Sequence, residues 1–198
     1  MPPVPPPLPP GRSAINHSGP PLQLPRPVVP EDGPPGALLL HFVIHSGGSF
    51  KNHWGYFVRS DYTPNIGTIV HVVGDVKDGF EFEVKRNHDF ETASPRPLHI
   101  IPLQWVNGKY FNDAMLNDGR QELDDKPVYD FERSVYKVKP PVGSLNSAKS
   151  VSQLPHPIKT QHIQKCTADT WILESANRLV EDGILHEDIV AYLDAIKQ

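Results

Sequence analysis

The chain has 198 residues, enough for one domain of ordinary size with an extension, and 38% of them are hydrophobic, as in globular proteins. Its net charge of −4, without a basic stripe, argues against nucleic acid as the main partner. The single cysteine, Cys166, excludes an internal disulfide framework and a zinc site built from several cysteines. Neither a leader peptide nor an apolar run of about 18 residues is visible, which predicts a cytoplasmic protein without a transmembrane segment.

Prolines are concentrated in the first 36 residues, which contain 14 of the 23 in the chain. Because proline fixes φ and has no amide N–H, we predict that residues 1–36 form a disordered arm with polyproline II character. Within it, residues 7–12, from Pro7 to Arg12, fit the PxxPx(Arg/Lys) pattern of SH3 ligands. The arm is then either a ligand for an SH3-type partner or a passive tail.

After the arm, a single α+β domain is predicted over residues 37–198. In the run FEFEVK (80–85), apolar and charged residues alternate with the period of a half-buried antiparallel strand. Pro102 restricts one of the other strand candidates to a sheet edge or a bulge. Together the segments predict an antiparallel β-meander of four to six strands joined by short turns. The further strand candidates are 38–45, 53–60, 68–74, 98–106 and 128–138.

The C-terminal part has the apolar spacing of helices. Residues 170–182 and 186–198 each place their apolar side chains on one stripe, and Gly183 stands where a C-terminal cap is expected. Residues 140–165, rich in Pro, Ser and Lys, predict a long surface connection before these helices. The predicted architecture is an antiparallel sheet with C-terminal helices packed on one side.

Two histidines and the cysteine are the candidates for chemistry. His53 and His71 lie on neighbouring predicted strands, and pairing of those strands would aim both imidazoles at one place. Cys166 precedes a helix, where free backbone amides and the helix dipole favour a thiolate. A histidine near that thiol could take its proton, as in cysteine hydrolases and acyltransferases. The residues alone leave open the alternative of two ordinary histidines and an unreactive thiol.

A metal site is the less favoured interpretation of the strand histidines. His41 and His45, four residues apart, share a strand face and could approach His53, but no nearby carboxylate completes a usual ligand set. We therefore predict no metal. Glycine-rich phosphate loops, GxSxG and HExxH are absent from the sequence, and no cofactor is predicted.

The runs NHWGYFV (52–58) and GTIVHV (67–72) resemble the permuted papain-like superfamily that includes lecithin:retinol acyltransferase, and more closely a group of small fungal proteins of that fold. The resemblance extends over about residues 38–185. It implies that His53 is the general base and that His71 orients it. In the family motif the cysteine stands three residues before a tryptophan, which is the position of Ala168 here, whereas Cys166 stands five before Trp171.

That departure leaves three functional predictions. The first is a hydrolase or acyltransferase that forms a thioester at Cys166 with an acyl or amide substrate. The second is a degenerate member that binds a small molecule or a partner protein, and the third is a non-covalent cyclase of a fungal natural-product pathway that uses His53 as acid or base. In each case an aromatic wall of Trp54, Tyr56 and Phe57 is expected to contact the ligand.

Overall fold

The computed structural model describes residues 26–47, 52–143 and 168–197. The predicted arm before residue 26, the SH3-type motif from Pro7 to Arg12, Cys166 and most of the predicted surface connection lie outside these ranges. The strands are β1 (Leu38–His45), β2 (His53–Arg59), β3 (Ile66–Asp75), β4 (Gly79–Asp89), β5 (His99–Val106) and β6 (Glu122–Asp124). The helices are α1 (Asp130–Tyr136), α2 (Ala168–Glu181) and α3 (Glu187–Ala195), with 3-10 turns at Gly108–Tyr110 and Asp113–Gly119.

The six strands form one antiparallel sheet in the order β5-β1-β2-β3-β4-β6. The predicted meander is confirmed for β1 to β4. It does not extend to β5, which returns to the far side of the sheet and pairs with β1. As predicted, Pro102 lies on an edge strand, where the register between β1 and β5 shifts at Leu40 and His41.

One face of the sheet packs against the helices, as the sequence predicts. Trp54, Tyr56 and Val58 of β2 point to this face and belong to the main hydrophobic core together with Trp171 of α2. The Tyr56 hydroxyl donates a hydrogen bond of 3.0 Å to the carbonyl of Ile172, which ties β2 to α2. Burial of this large apolar surface is the main force that holds the helices in place.

The opposite face carries a smaller core of Val43, Phe57, Ile69 and Phe90. Strand β4 ends at one end of the sheet and β5 begins at the other end, beyond β1. The connection over residues 90–98 therefore crosses this face diagonally. Phe90 anchors it, with its ring centroid 4.6 Å from that of Phe57.

The strand predicted at 128–138 is wrong, because this segment contains α1. Phe131 and Val135 are fully buried and stand one helical turn apart, so the segment buries its apolar side chains with helical rather than strand periodicity. The two predicted C-terminal helices are confirmed as α2 and α3, and Gly183 ends α2 with a φ of 70°. None of the helices in the described ranges is long and apolar enough to span a bilayer.

Candidate functional site

The predicted pair of histidines meets on the sheet face opposite the helices. His53 is the first residue of β2, and His71 lies on β3, where it pairs in register with Gly55. Because side chains on a strand alternate, His53, Gly55 and His71 share one face. The Nε2 atom of His53 lies 2.6 Å from Nδ1 of His71, within hydrogen-bonding distance.

The site continues to a carboxylate that the sequence interpretation did not include. Glu83 of β4 pairs in register with His71, and its Oε1 lies 3.0 Å from His71 Nε2. His53, His71 and Glu83 thus form one continuous hydrogen-bond chain, which we call the His53 relay. His71 is 4% exposed, so the middle of the relay is shielded from water.

The carboxylate fixes the direction of the hydrogen bonds in the relay. An ionised Glu83 can only accept, so the Nε2–H of His71 donates to it. Nδ1 of His71 then carries a lone pair and accepts the proton on Nε2 of His53. The Nδ1 atom of His53 is consequently unprotonated, and within the described residues it has no hydrogen-bond partner. The relay therefore presents one basic nitrogen, Nδ1 of His53.

The electrostatics keep both imidazoles neutral near pH 7. Desolvation by burial, with the neighbouring His71 as a second cause, lowers the pKa of His53 to about 3. Burial also lowers the pKa of His71, although its hydrogen bond to Glu83 opposes that shift. The pKa of Glu83 is lowered as well, chiefly by the hydrogen bond from His71. A neutral imidazole can accept a proton, but a pKa this low makes the ring a weak base until a neighbouring anion raises it.

Gly55 makes room for this arrangement. A Cβ placed on Gly55 would stand 3.1 Å from the Cβ of His71, closer than most side-chain contacts allow. A larger residue would push His71 away from its strand position. The glycine thus leaves room on β2 for the His71 side chain of the neighbouring strand.

The aromatic wall expected around the site is not found where it was predicted. Trp54 and Tyr56 are 2% and 0% exposed and point to the helix-packed face, away from the two histidines. The reason is strand alternation, which places residues 54 and 56 opposite residues 53 and 55. Phe57 does lie on the histidine face, but it is buried beneath Phe90. None of the three therefore offers a surface to a ligand beside His53.

The predicted nucleophile precedes helix α2. Cys166 lies outside the described residues, and α2 begins two residues later at Ala168. Ala168, the family-motif position of the cysteine, is 7% exposed and belongs to the main core on the helix face. The histidine pair lies on the other face of the same sheet. A side chain at position 168 therefore does not face His53.

Further histidines share the face of the relay. His41 and His45 of β1 lie there, and the His45 ring centroid is 6.4 Å from that of His53. His88 follows on β4, with its ring centroid 4.9 Å from that of Phe90. Across the described ranges, no group of three or more His, Cys, Asp or Glu residues is arranged to hold a metal ion.

A small cavity adjoins the relay on the β4 side. Its volume is about 190 Å³, and Lys85 connects it to the site, since the Lys85 ammonium lies 3.7 Å from Oε1 of Glu83. The cavity is lined by Lys85, Arg86, His88, Gln121, Glu122 and Leu123. The cavity volume is smaller than the roughly 300 Å³ at the lower end of ordinary ligand pockets, so the cavity can hold only a small substituent.

A signal for Glu83 was present in the sequence. The turn chemistry of Asp78 and Gly79 predicts a tight turn between β3 and β4. A two-residue turn at Asp78 and Gly79 would pair residue 71 with residue 86, whereas the hairpin is centred on residue 77 and pairs residue 71 with residue 83. Because Phe82 alternates with Glu83, the carboxylate necessarily points to the face of His71.

One protein family matches this chain. It is described as a family of unknown function (DUF6540), and the match covers residues 40–186, which is 147 of the 198 residues. The matched range begins in β1 and ends after α2, so it includes the whole relay and Cys166. No curated protein and no solved structure matches the chain.

Proposed function

The chain belongs to the DUF6540 family, whose function is unknown, and we propose from its site that it is a hydrolase or acyltransferase with His53 as the general base. The observation that carries this proposal is the His53 relay, with contacts of 2.6 Å and 3.0 Å that end on a carboxylate. A buried chain of this kind holds an imidazole in one tautomer and stabilises the imidazolium that forms during proton transfer.

The relay accepts a proton at one end and spreads the resulting charge toward the other. When Nδ1 of His53 takes a proton, the ring becomes an imidazolium that donates from Nε2 to Nδ1 of His71. Transfer of that second proton moves the positive charge to His71, whose Nε2–H already donates to the Glu83 carboxylate. The buried charge is thereby paired with an anion, which offsets part of its desolvation cost.

Cys166 is the proposed nucleophile, in line with the resemblance to permuted papain-like proteins, and we extend that fold assignment to this chain. Nδ1 of His53 takes the thiol proton, and the thiolate sulfur forms a bond to the acyl carbon of the substrate. His53 returns the proton to the leaving group, and a thioester remains on Cys166. Attack by water or an amine, deprotonated in turn by His53, releases the acyl product and restores the thiol.

A second candidate function follows from the position of α2. Ala168 is buried in the core on the helix face, on the other side of the sheet from His53. If Cys166 also lies on the helix face of the sheet, the relay acts without a thiol. His53 then moves a proton on a bound small molecule in a non-covalent reaction. Such a protein would be the acid–base cyclase rather than the thiol enzyme.

Alkylation of the single cysteine by iodoacetamide at pH 7, followed by intact mass, separates the two functions. For the thiol enzyme we expect Cys166 to react at least about tenfold faster than a free cysteine peptide, because a thiolate beside His53 raises the pKa of that imidazole and the two form an ion pair. His53→Ala is expected to remove that acceleration. His45→Ala is the matched control, since His45 pairs with His53 across the strands but stands outside the relay.

Two results would contradict the thiol mechanism. One is a wild-type rate equal to that of the free peptide, and the other is an accelerated rate that His53→Ala leaves unchanged. Either result would leave non-covalent chemistry at His53 as the function to pursue.

A further inference from the structure

A proline-rich stretch of the chain lies against the indole of Trp105. Residues 26–36 precede β1, and their sequence is RPVVPEDGPPG. The Nε1–H of Trp105, on the edge strand β5, donates a hydrogen bond of 2.9 Å to the carbonyl of Pro30. Donation from an indole N–H to the backbone of an extended, proline-rich strand is how aromatic grooves recognise polyproline II ligands.

The contacts of the stretch lie on both sides of a bend at Glu31 and Asp32. Pro30 supplies the hydrogen-bonded carbonyl, while Pro27 and Gly33 are half-buried. Val28 on another side of the stretch is 98% exposed.

Gly33 allows the stretch to lie directly on the ring. A Cβ built on Gly33 would overlap the six-membered ring of Trp105, so any other residue must lift the backbone from the indole. Close approach of a backbone to an aromatic face is a position where only glycine fits. The fit between Gly33 and Trp105 is therefore specific in shape as well as in hydrogen bonding.

Trp105 has the surroundings of a binding surface rather than of a core. Trp54 and Trp171 are 2% and 0% exposed, whereas Trp105 is half-buried. The Arg59 guanidinium lies 5.8 Å from the centroid of the Trp105 ring, in cation–π range. A positive charge beside a half-buried indole favours a ligand that carries acidic residues. The bound stretch has two of them, Glu31 and Asp32, directly after Pro30.

We propose that Trp105 and Arg59 form a binding site for acidic, proline-rich segments, which residues 27–33 occupy in the resting chain and which such a segment of another protein occupies by exchange. Four of the seven residues of the resident stretch are exposed, and its removal would uncover the Trp105 ring for a competing segment. The tethered stretch is present at a high effective concentration, so a free peptide competes with it poorly. Release of the stretch therefore controls whether another segment can reach Trp105.

The test follows the indole N–H signals of the full-length, ¹⁵N-labelled protein by NMR. The probe is a synthetic peptide with the sequence of residues 26–36. Gly33→Val is expected to release the stretch and to move the Trp105 signal toward that of a free indole. Added peptide should return it, with an affinity for this variant at least about tenfold higher than for the wild type. The signals of Trp54 and Trp171 report whether the fold is intact.

Two matched variants complete the experiment. Pro35→Ala, at an exposed position of the same stretch, should leave the Trp105 signal and the peptide affinity as in the wild type. Trp105→Phe combined with Gly33→Val removes the N–H donor and should abolish peptide binding. A Gly33→Val protein that shows a free indole yet ignores millimolar peptide would overturn the proposal, as would equal affinity of wild type and variant.

Discussion

Glu83 determines which nitrogen of His53 is free, although the two residues do not touch. Its carboxylate ends the relay with a group that only accepts hydrogen bonds, and the lowered pKa of Glu83 keeps it ionised at neutral pH. The Nε2–H of His71 must then point to Glu83, and the Nε2–H of His53 must point to Nδ1 of His71. A single negative charge at one end thus sets the tautomers of two imidazoles.

Replacing this carboxylate by an amide should scramble the tautomers. In Glu83→Gln the side chain can rotate and donate to His71 Nε2, which reverses both hydrogen bonds and places a proton on Nδ1 of His53. We expect ¹⁵N shifts of the histidine rings to change from one tautomer to a mixture. We also expect any His53-dependent activity to fall by about 10²-fold or more. Glu81→Gln, two residues away on the same strand and exposed, is the control.

An unchanged, single tautomer for His53 in Glu83→Gln would show that Glu83 does not orient the relay. A mixture of His53 tautomers in Glu81→Gln would show instead that a general loss of negative charge near the site changes the tautomers. The ring-nitrogen spectrum reads the protonation directly, so this test needs no substrate.

At the scale of elements, a buried ion pair joins α1 to the sheet. Arg86 of β4 is 3% exposed, and its Nη1 donates to Glu132 of α1 at 2.9 Å. The same guanidinium donates to Asp124 of β6 at 2.8 Å. Glu132 is fully buried and also accepts the backbone N–H of Val128 at 2.7 Å. One cation therefore connects β4, β6 and α1.

Removal of Glu132 should destabilise the fold, because the buried guanidinium of Arg86 loses one of its carboxylate partners. We expect Glu132→Ala to lower the free energy of unfolding by about 3–5 kcal/mol. Arg133→Ala breaks the neighbouring exposed pair with Asp130 and should cost less than about 1 kcal/mol. Urea denaturation of both variants measures the difference. A Glu132→Ala protein as stable as Arg133→Ala would show that the buried pair adds nothing.

The sequence predicts elements well where one local period dominates. The alternation of Phe80, Phe82 and Val84 with charged residues gave both the strand and its buried face correctly. The segment containing α1 is rich in Val, Tyr and Phe, which favour strands, and that composition concealed the helical spacing of Phe131 and Val135. Its buried Glu132 broke the apolar pattern further, because the partner, Arg86, stands 46 positions earlier in the chain.

Contacts between distant segments were harder to foresee. The proximity of His53 and His71 followed from strand pairing alone, since one turn separates their strands. The crossing of residues 90–98 over the histidine face has no local pattern, because it depends on β5 pairing with β1 rather than with β4. The burial of Phe57 under Phe90 follows from that crossing, so it could not be predicted from the strand itself.

At the scale of the whole molecule, one sheet face carries five of the ten histidines, all with a lowered pKa. These residues are His41, His45, His53, His71 and His88. For a histidine with a lowered pKa, the unfolded chain binds more protons than the folded one below pH 6.5. Stability is therefore fully present above that pH and is lost as the pH falls toward the folded values. The whole face makes the fold sensitive to mild acid.

His41 should account for a large part of this sensitivity. Burial, with the Arg59 charge as a second cause, lowers its pKa to about 4, and its Nδ1 is buried without a hydrogen-bond partner in the described structure. From this pKa we expect about 2 kcal/mol of stability to be lost at His41 between pH 7 and pH 5. His41→Phe should abolish that part of the loss, since its ring can keep the contact with Phe57.

The measurement is the free energy of unfolding in urea at pH 7 and at pH 5, for the wild type and the variant. His99→Gln, at an exposed histidine, is the control and should keep the wild-type difference. Equal losses for His41→Phe and the wild type would show that His41 protonation does not drive acid unfolding.

The borders of the sheet also have a consequence for solution behaviour. Fibril growth needs a straight strand with unused N–H and C=O groups at the margin of a sheet. On one margin Pro102 and the shifted register interrupt β5. On the other margin, β6 is short and spans only Glu122–Asp124. The first residues of β4 are covered by a later segment of the chain, since the Phe80 N–H donates a hydrogen bond of 2.9 Å to the carbonyl of Pro141. Among the residues that the structure describes, neither margin offers a template for a seventh strand, so concentrated samples should resist strand-mediated aggregation as long as the domain stays folded.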